Sequence, residues 1–230
     1  GKLGSSSAVA RFANANDPNV TVDENEPYAE LWMGTHSKVP TVLASNRMDL
    51  RDVIGANTEK FIGKDVMNKF KLVNELPFLF KVLSINKVLS IQAHPDKTLG
   101  GRLHIEDPKN YPDGNHKPEM AIALTDFESF CGFKPLSEIK SELETIPEFF
   151  EIVGKEVSEK FINDPSKDNL KLVFSNVMNT ESGELVKLSQ KLISRVESQP
   201  ELFGDELCDL IKRLDAQFPN DIGLFCGCLM

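Results

Sequence analysis

The segment VLSIQAHPDK, residues 88–97, places polar side chains at regular intervals in an otherwise apolar, β-prone run. Side chains of a β-strand alternate between its two faces, so Ser90, Gln92 and His94 share one predicted face with Val88. The opposite predicted face carries only Leu, Ile and Ala. The spacing therefore predicts that Gln92 and His94 lie side by side, ~6 to 7 Å apart at Cα, close enough to bind one ion.

A second polar pair follows in HKPEMAIAL, residues 116–124, where a predicted strand carries Lys117 and Glu119 on one face. An imidazole nitrogen and a carboxylate oxygen suit Zn²⁺, and an amide oxygen is a less usual third donor. Because the amide is neutral, the ion keeps a net positive charge with which to polarise a carbonyl or hydroxyl oxygen. Three protein ligands also leave a position for water or substrate. These residue types predict a zinc site made of Gln92, His94 and Glu119.

The alternative interpretation of the Gln-x-His pair is structural. Such a pair on a strand is more often a hydrogen-bonded polar pair at a sheet edge than a metal site. The neighbouring Lys-x-Glu pair favours the metal interpretation, but the spacing does not decide between the two.

The elements that position these residues are predicted from the hydrophobic periodicity. Residues 76–85 and 87–94 are predicted as neighbouring buried strands, and residues 119–133 as a further pair of short strands. The segment between His94 and Glu119 is rich in Gly, Pro, Asn and Asp and is predicted as a long loop. The motifs of the predicted site thus belong to a β-rich region.

The rest of the chain is predicted to be mostly helical. After Pro135, apolar residues recur every three or four positions with charged residues between them, which indicates amphipathic helices. Residues 47–70 carry a helical pattern broken at Gly55 and Gly63, and the N-terminal serines are predicted to cap a short helix. The last ten residues, 221–230, are predicted to be extended again.

Composition restricts the classes of partner. The 230 residues contain 35 acidic and 26 basic side chains, a net charge of −9, which argues against nucleic acid or an anionic membrane surface as the main partner. No apolar run approaches the ~18 to 20 residues that span a bilayer, and four scattered cysteines do not form a disulfide framework. A cytoplasmic protein is expected, and any anionic substrate must meet locally placed lysines or a metal.

Several longer motifs together resemble one enzyme family. GKLGSSSAVA, PYAELWMGTH, LPFLFKVLSINKVLSIQAHPDK and YPDGNHKPEMAIALTDFESFCGF are similar to segments of the type I phosphomannose isomerases, over residues 1 to about 135. These zinc enzymes interconvert mannose 6-phosphate and fructose 6-phosphate. The resemblance implies a mixed β and α fold, an incomplete cupin-like β jelly roll with an α-helical insertion domain. It also implies an N-terminal part of the catalytic domain at 1–134, a helical domain at 135–220, and the start of a further catalytic-domain strand at 221–230.

The resemblance also implies roles for individual residues. The metal ligands of the family's QAHP and HKPE motifs fall on Gln92, His94 and Glu119. Its serine before QAHP falls on Ser90, and its lysines fall on Lys97 and Lys117; these three are the expected substrate-binding residues. A lysine suits phosphate or sugar binding as a compact cation with three donors.

Lys117 is also the expected catalytic residue, acting either as the base or as a neutralising charge. The family's fourth zinc ligand, a histidine, and its catalytic arginine have no counterpart before Met230, and its N-terminal strand precedes the match to Gly1. The chain is thus expected to be a fragment lacking both ends of the enzyme, with one Zn²⁺ whose fourth ligand lies outside this sequence.

The resemblance implies a monomer that supplies mannose 6-phosphate for GDP-mannose synthesis. The first rival is a non-catalytic zinc-binding or sugar-phosphate-binding relative, or an inactive fragment. The second is a metal cupin with oxygen chemistry, which is disfavoured because the ligand set lacks the two histidines and one carboxylate that non-haem iron prefers.

Other chemically suggestive residues have ordinary explanations. Trp32 could stack on a sugar but is more readily a core or interface residue, and His36 and His116 lie in loop-like contexts. The CGC motif at 226–228 has no second pair of ligands at a suitable spacing, so two strand cysteines are expected there. The GKLGSSS segment lacks the complete phosphate-binding pattern, which favours simple helix capping.

Overall fold

The computed structural model describes residues 1–230, which form two compact units, residues 1–87 and residues 88–230. Together they contain twelve α-helices and two small antiparallel sheets, so the fold is mixed β and α as predicted. None of the helices has both the length and the apolar character that crossing a bilayer requires.

The first unit contains both sheets. Strand β1 (Lys2–Leu3) pairs with β2 (Pro27–Tyr28), and β3 (Glu30–Met33) pairs with β4 (Phe80–Leu83). The other elements of this unit are a 3-10 helix at Gly4–Ser6 and the helices α1 (Ala8–Asn16), α2 (Leu50–Ala56), α3 (Thr58–Ile62) and α4 (Lys64–Phe70).

Helix α1 begins where the sequence predicts. The buried Ser7 hydroxyl accepts from the amide of Ala10 at 3.4 Å and donates to the carbonyl of Tyr28 at 2.9 Å. One side chain therefore caps the helix and attaches it to strand β2, which confirms ordinary capping by the serine cluster.

The predicted interruption of the helical segment 47–70 is half right. Gly63 separates α3 from α4 with φ at +87°, a conformation that favours glycine. Gly55, however, lies inside α2, and the other break is at Asn57, whose side chain accepts from the amide of Lys60. A residue that caps the next helix ends the first one here.

The second unit is helical. Its elements are α5 (Lys97–Glu106), α6 (Leu136–Thr145), α7 (Pro147–Val153), α8 (Lys155–Asn163), α9 (Lys167–Met178), α10 (Ser182–Ser198), α11 (Gly204–Gln217) and α12 (Gly223–Cys226). From α6 onward their apolar faces surround one core, whose largest fully buried side chains include Phe149, Phe161, Phe225, Leu188, Leu192 and Ile211. The predicted helices after Pro135 are confirmed.

Lys134 connects the start of this helical region with its end. Its ammonium contacts Oε1 of Glu142 at 2.6 Å and donates to the carbonyl of Gly227 at 2.8 Å. Its backbone amide donates to the carbonyl of Leu229, also at 2.8 Å. Burial raises the pKa of Glu142 even though the bond from Lys134 opposes that shift.

Three predictions about strands are wrong. Residues 87–94 and 119–133 form no strand, and β4 pairs with β3 instead of with residues 87–94. A strand is defined by backbone pairing with another strand, and the only strand pairs are β1 with β2 and β3 with β4, so β propensity alone does not make these two segments strands.

The C-terminal segment 221–230 is not extended either; it contains α12. Ile222, Phe225, Cys226 and Leu229 recur at helical spacing, and the last three are fully buried. This periodicity outweighs the β propensity of the individual residues. The domain boundaries at 134 and 220 stay a prediction.

Candidate functional site

The predicted site residues all lie in the second unit, on two segments joined by α5 and the loop that follows it, except Lys97, which begins α5. Ser90, Gln92 and His94 precede the helix, and Lys117 and Glu119 follow the loop. The predicted long loop between the two motifs is wrong in part, because residues 97–106 form α5. Asp96 starts that helix by accepting from the amide of Leu99 at 2.8 Å.

His94 and Glu119 lie next to each other. Nε2 of His94 is 3.5 Å from Oε1 of Glu119, and both side chains reach solvent. Two ligands of one tetrahedral zinc, each ~2.0 to 2.1 Å from the metal, are separated by ~3.3 Å. The observed separation thus fits two ligands of a single ion.

Gln92 is paired with Ser90. Its amide nitrogen donates to the Ser90 hydroxyl over a long 3.5 Å bond, which leaves the amide oxygen free for another partner. That oxygen is the atom through which a glutamine binds a metal. No hydrogen bond joins Gln92 to His94 or Glu119, and no three His, Cys, Asp or Glu side chains cluster closely enough to hold an ion.

The two lysines have different surroundings. The ammonium of Lys117 lies 3.0 Å from Oδ2 of Asp113 and donates to Oδ1 at 3.1 Å. Partial burial disfavours the Asp113 carboxylate, but bonds from the amide of Asn115 and from Lys117 outweigh it and lower the pKa of Asp113. Lys97, the first residue of α5, is exposed and has no ion pair, so its charge is available to a ligand.

Sequence reasoning missed Asp113 and the two glycines Gly100 and Gly101 as parts of this region. Asp113 precedes Lys117 by four residues, a separation that gives contact on a helix but carries no such meaning in a loop. The Gly-Gly pair gave no such signal in the sequence, because glycines are ordinary in the loop predicted there; only inside the observed helix α5 do they point to a packing role.

The other suggestive residues are occupied elsewhere. Trp32 is half-buried, with the ammonium of Lys81 4.9 Å from its ring centroid and the His36 ring at its edge, 5.0 Å away. Cys226 and Cys228 are buried free thiols in and just after α12, so the prediction of strand cysteines is wrong. Burial raises the pKa of Cys226 to about 11 and raises that of Cys228 well above its ordinary value, which disfavours the thiolate that a metal requires.

Comparison with known protein families gives two matches. The family model described as "Phosphomannose isomerase type I, catalytic domain" matches residues 1–136, and "Phosphomannose isomerase type I, helical insertion domain" matches residues 150–230.

Curated relatives are named mannose-6-phosphate isomerase. The chain is 60% identical to a mannose-6-phosphate isomerase of Ogataea parapolymorpha and 54% identical to one of Saccharomyces cerevisiae, over 100% of its length in each case. It covers 56% and 57% of those two proteins, so it spans little more than half the length of these relatives.

Solved structures agree. A mannose 6-phosphate isomerase bound with zinc and yttrium superposes with a TM-score of 0.78 at 29% identity, over 99% of this chain and 58% of the other. The Salmonella typhimurium enzyme bound to its substrate (f6p) and a zinc atom gives a TM-score of 0.77 at 29% identity, over 99% of this chain and 59% of the other. These similarities confirm the predicted fold class, cupin-like with a helical insertion. With one family model matching more than half of its residues, the chain belongs to the type I phosphomannose isomerase family.

Proposed function

We propose that this chain works in a zinc-dependent aldose–ketose isomerase that interconverts mannose 6-phosphate and fructose 6-phosphate. The observation that carries the proposal is the 3.5 Å separation of Nε2 of His94 from Oε1 of Glu119, which suits two ligands of one zinc ion. Family membership supports the reaction, because the relatives are named mannose-6-phosphate isomerase and a related structure holds zinc and f6p.

His94, Glu119 and Gln92 are the proposed zinc ligands in this chain. The first two already lie at the required separation, and the third has a free amide oxygen. When bound, zinc supplies a positive charge that stabilises negative charge developing on substrate oxygens. A fourth ligand from outside these residues completes the proposed set.

The proposed reaction moves a proton between C1 and C2 of the sugar while the oxygens exchange carbonyl and hydroxyl character. Lys117 lies two residues before a proposed ligand and is the proposed catalytic residue, either as the base that carries this proton or as a fixed positive charge. Its ammonium is held 3.0 Å from Asp113, which limits its positions.

Lys97 and Ser90 are proposed to bind the substrate. The ammonium of Lys97 lacks an internal partner, as a group that meets a phosphate or sugar oxygen would. The Ser90 hydroxyl accepts from Gln92, so its own proton is free to be donated to a sugar oxygen.

We further propose that the protein is a cytoplasmic monomer that contributes mannose 6-phosphate to GDP-mannose synthesis. Its four cysteines are all free, as expected in a reducing compartment. The domain division proposed from the sequence, 1–134, 135–220 and 221–230, is kept with α12 in place of a strand.

The test is to mix the protein carrying this chain with mannose 6-phosphate in deuterated water and to follow the fructose 6-phosphate formed, the deuterium at its C1, and the deuterium at C2 of the recovered mannose 6-phosphate. Zinc-dependent product formation that is abolished in Glu119→Gln, with His36→Ala as an unaffected control, supports the proposal. Sugar phosphate binding without product or exchange overturns it in favour of the non-catalytic rival. Activity restored by iron and not by zinc favours a different metal enzyme.

A further inference from the structure

Helix α5 and the loop after it make an unusually close backbone contact. Gly100 is buried, and a Cβ atom placed on it lies 3.3 Å from the carbonyl oxygens of both Gly114 and Asn115. A Cβ on Gly114 lies 3.3 Å from Cα of Gly101. Such distances are shorter than ordinary van der Waals contacts, so the approach depends on the absence of side chains.

Hydrogen bonds hold the same loop against the helix. Nδ1 of His104 lies 2.6 Å from the carbonyl oxygen of Tyr111, and the amide of Tyr111 donates to the carbonyl of Asp107 at 3.0 Å. Asn110 donates to the Asp107 carboxylate at 2.6 Å. The loop therefore returns along α5 in one defined position.

In the sequence, the residues that make this contact lie between the two segments that carry the proposed zinc ligands. His94 precedes the cap residue Asp96 by two positions, and Glu119 follows the Gly114 contact by five. One side of the contact is thus continuous with His94 through the start of α5, and the other side is continuous with Glu119.

We infer that the contact of Gly100 with Gly114 and Asn115 positions Glu119 against His94 for zinc. The inference rests on the proposed function and extends it to residues that bind neither metal nor sugar. A methyl group at Gly100 displaces the loop by a few tenths of an ångström. Metal–ligand distances are held to within ~0.2 Å. A loop displacement of a few tenths of an ångström is therefore large enough, once transmitted to Glu119, to weaken zinc binding.

Helix α5 provides its own matched control. Gly101 neighbours Gly100 in the same helix, and a Cβ on it has no atom within 4 Å. Gly100→Ala and Gly101→Ala gain the same helix propensity, but only the first meets the loop. Any difference between them reports the contact.

The experiment measures the zinc affinity of the protein carrying this chain by competition with a chromophoric chelator. We expect Gly100→Ala to bind zinc about tenfold more weakly, the lower end of the effect of residues that orient ligands. Gly101→Ala is expected to stay within about twofold of the parent. With Co²⁺ as the probe, the visible absorption bands should change in Gly100→Ala alone, which a purely structural role does not predict.

The outcomes separate the two proposals. A parent protein, with this chain in its full context, that binds no zinc overturns both the proposed metal site and this inference. Zinc binding of equal strength and equal Co²⁺ spectra in the parent and both variants overturns only the positioning role. If Gly100→Ala does not fold by circular dichroism, Gly114→Ala, which approaches from the loop side, decides by the same measurements.

Discussion

Nε2 of His94 lies 3.5 Å from Oε1 of Glu119, although α5 and its returning loop separate the two residues in sequence. If one ion joins them, losing either ligand removes most of the affinity, and losing the second adds little. We expect His94→Ala and Glu119→Gln each to weaken zinc binding by at least about 100-fold, and the double variant to be no more than a few-fold worse. Chelator competition measures this, with His36→Ala as an unaffected histidine control. Effects that multiply would place the two residues on different ions.

Asp113 is expected to act through Lys117. Their 3.0 Å contact restricts the ammonium, so Asp113→Asn should lower the isomerase kcat by about tenfold and change KM little. In a Lys117→Ala background the same substitution should have almost no further effect.

The measurement is steady-state kinetics on the four members of this double-mutant cycle. Because Asp113 also accepts from the amide of Asn115, it could act through the loop instead. If the losses of kcat from Asp113→Asn and Lys117→Ala multiply in the double variant, Asp113 acts through the loop and not through Lys117.

Lys134 is expected to stabilise the helical region in a pH-dependent way. Burial raises the pKa of Glu142, so the folded chain holds this proton more tightly than the unfolded chain does, and ionising Glu142 costs stability as pH rises through that pKa. Lys134→Met removes the opposing charge and raises the pKa further. The variant should therefore lose about 2 kcal/mol near neutral pH, and clearly less near about pH 4.

Urea unfolding at the two pH values checks this expectation. Lys140→Met is the control, since Lys140 lies 4.0 Å from Glu144 in a partly exposed ion pair on α6, the helix that carries Glu142. A loss that is the same at both pH values would mean that the Lys134 side chain acts through its bond to the Gly227 carbonyl and not through Glu142.

The ion pair of Arg195 with Glu148 is expected to stabilise the fold far more than the nearby ion pair of Lys191 with Glu151. Glu148 is only 3% exposed and takes three bonds of 2.8–3.0 Å from Arg195, which accordingly has a raised pKa. Arg195→Met leaves a buried carboxylate unpaired and should lower the free energy of unfolding by about 3 kcal/mol.

Lys191→Met removes an exposed partner of Glu151 and should cost less than about 1 kcal/mol. Urea unfolding of both variants gives the comparison, and Glu148→Gln combined with Arg195→Met should recover part of the loss. Equal losses of unfolding free energy in Lys191→Met and Arg195→Met would contradict the larger contribution expected of the buried pair.

The helical part of the fold was predictable because its signal is local. Ile139 and Leu143 recur on one face of α6, and both are almost fully buried in the core. Ser7 likewise carries its capping signal in its own side chain and its neighbours. Such features need no information from distant residues.

The strands were not predictable in the same way. Residues 87–94 have the composition of a strand, but a strand requires a partner in register, and β4 takes its partner from β3 instead. For the site, residue types identified His94 and Glu119, whereas the pairing of Lys117 with Asp113 and the glycine contact depend on how the loop returns along α5.

Lys134 has a consequence for the topology of the chain. Its amide is bonded to the carbonyl of Leu229, so the polypeptide returns almost to its starting point after passing through seven helices, α6 to α12. A helical region whose two ends lie together adds volume and surface without setting a distance between those ends. A host fold can gain, lose or exchange such a region with little strain on the flanking chain.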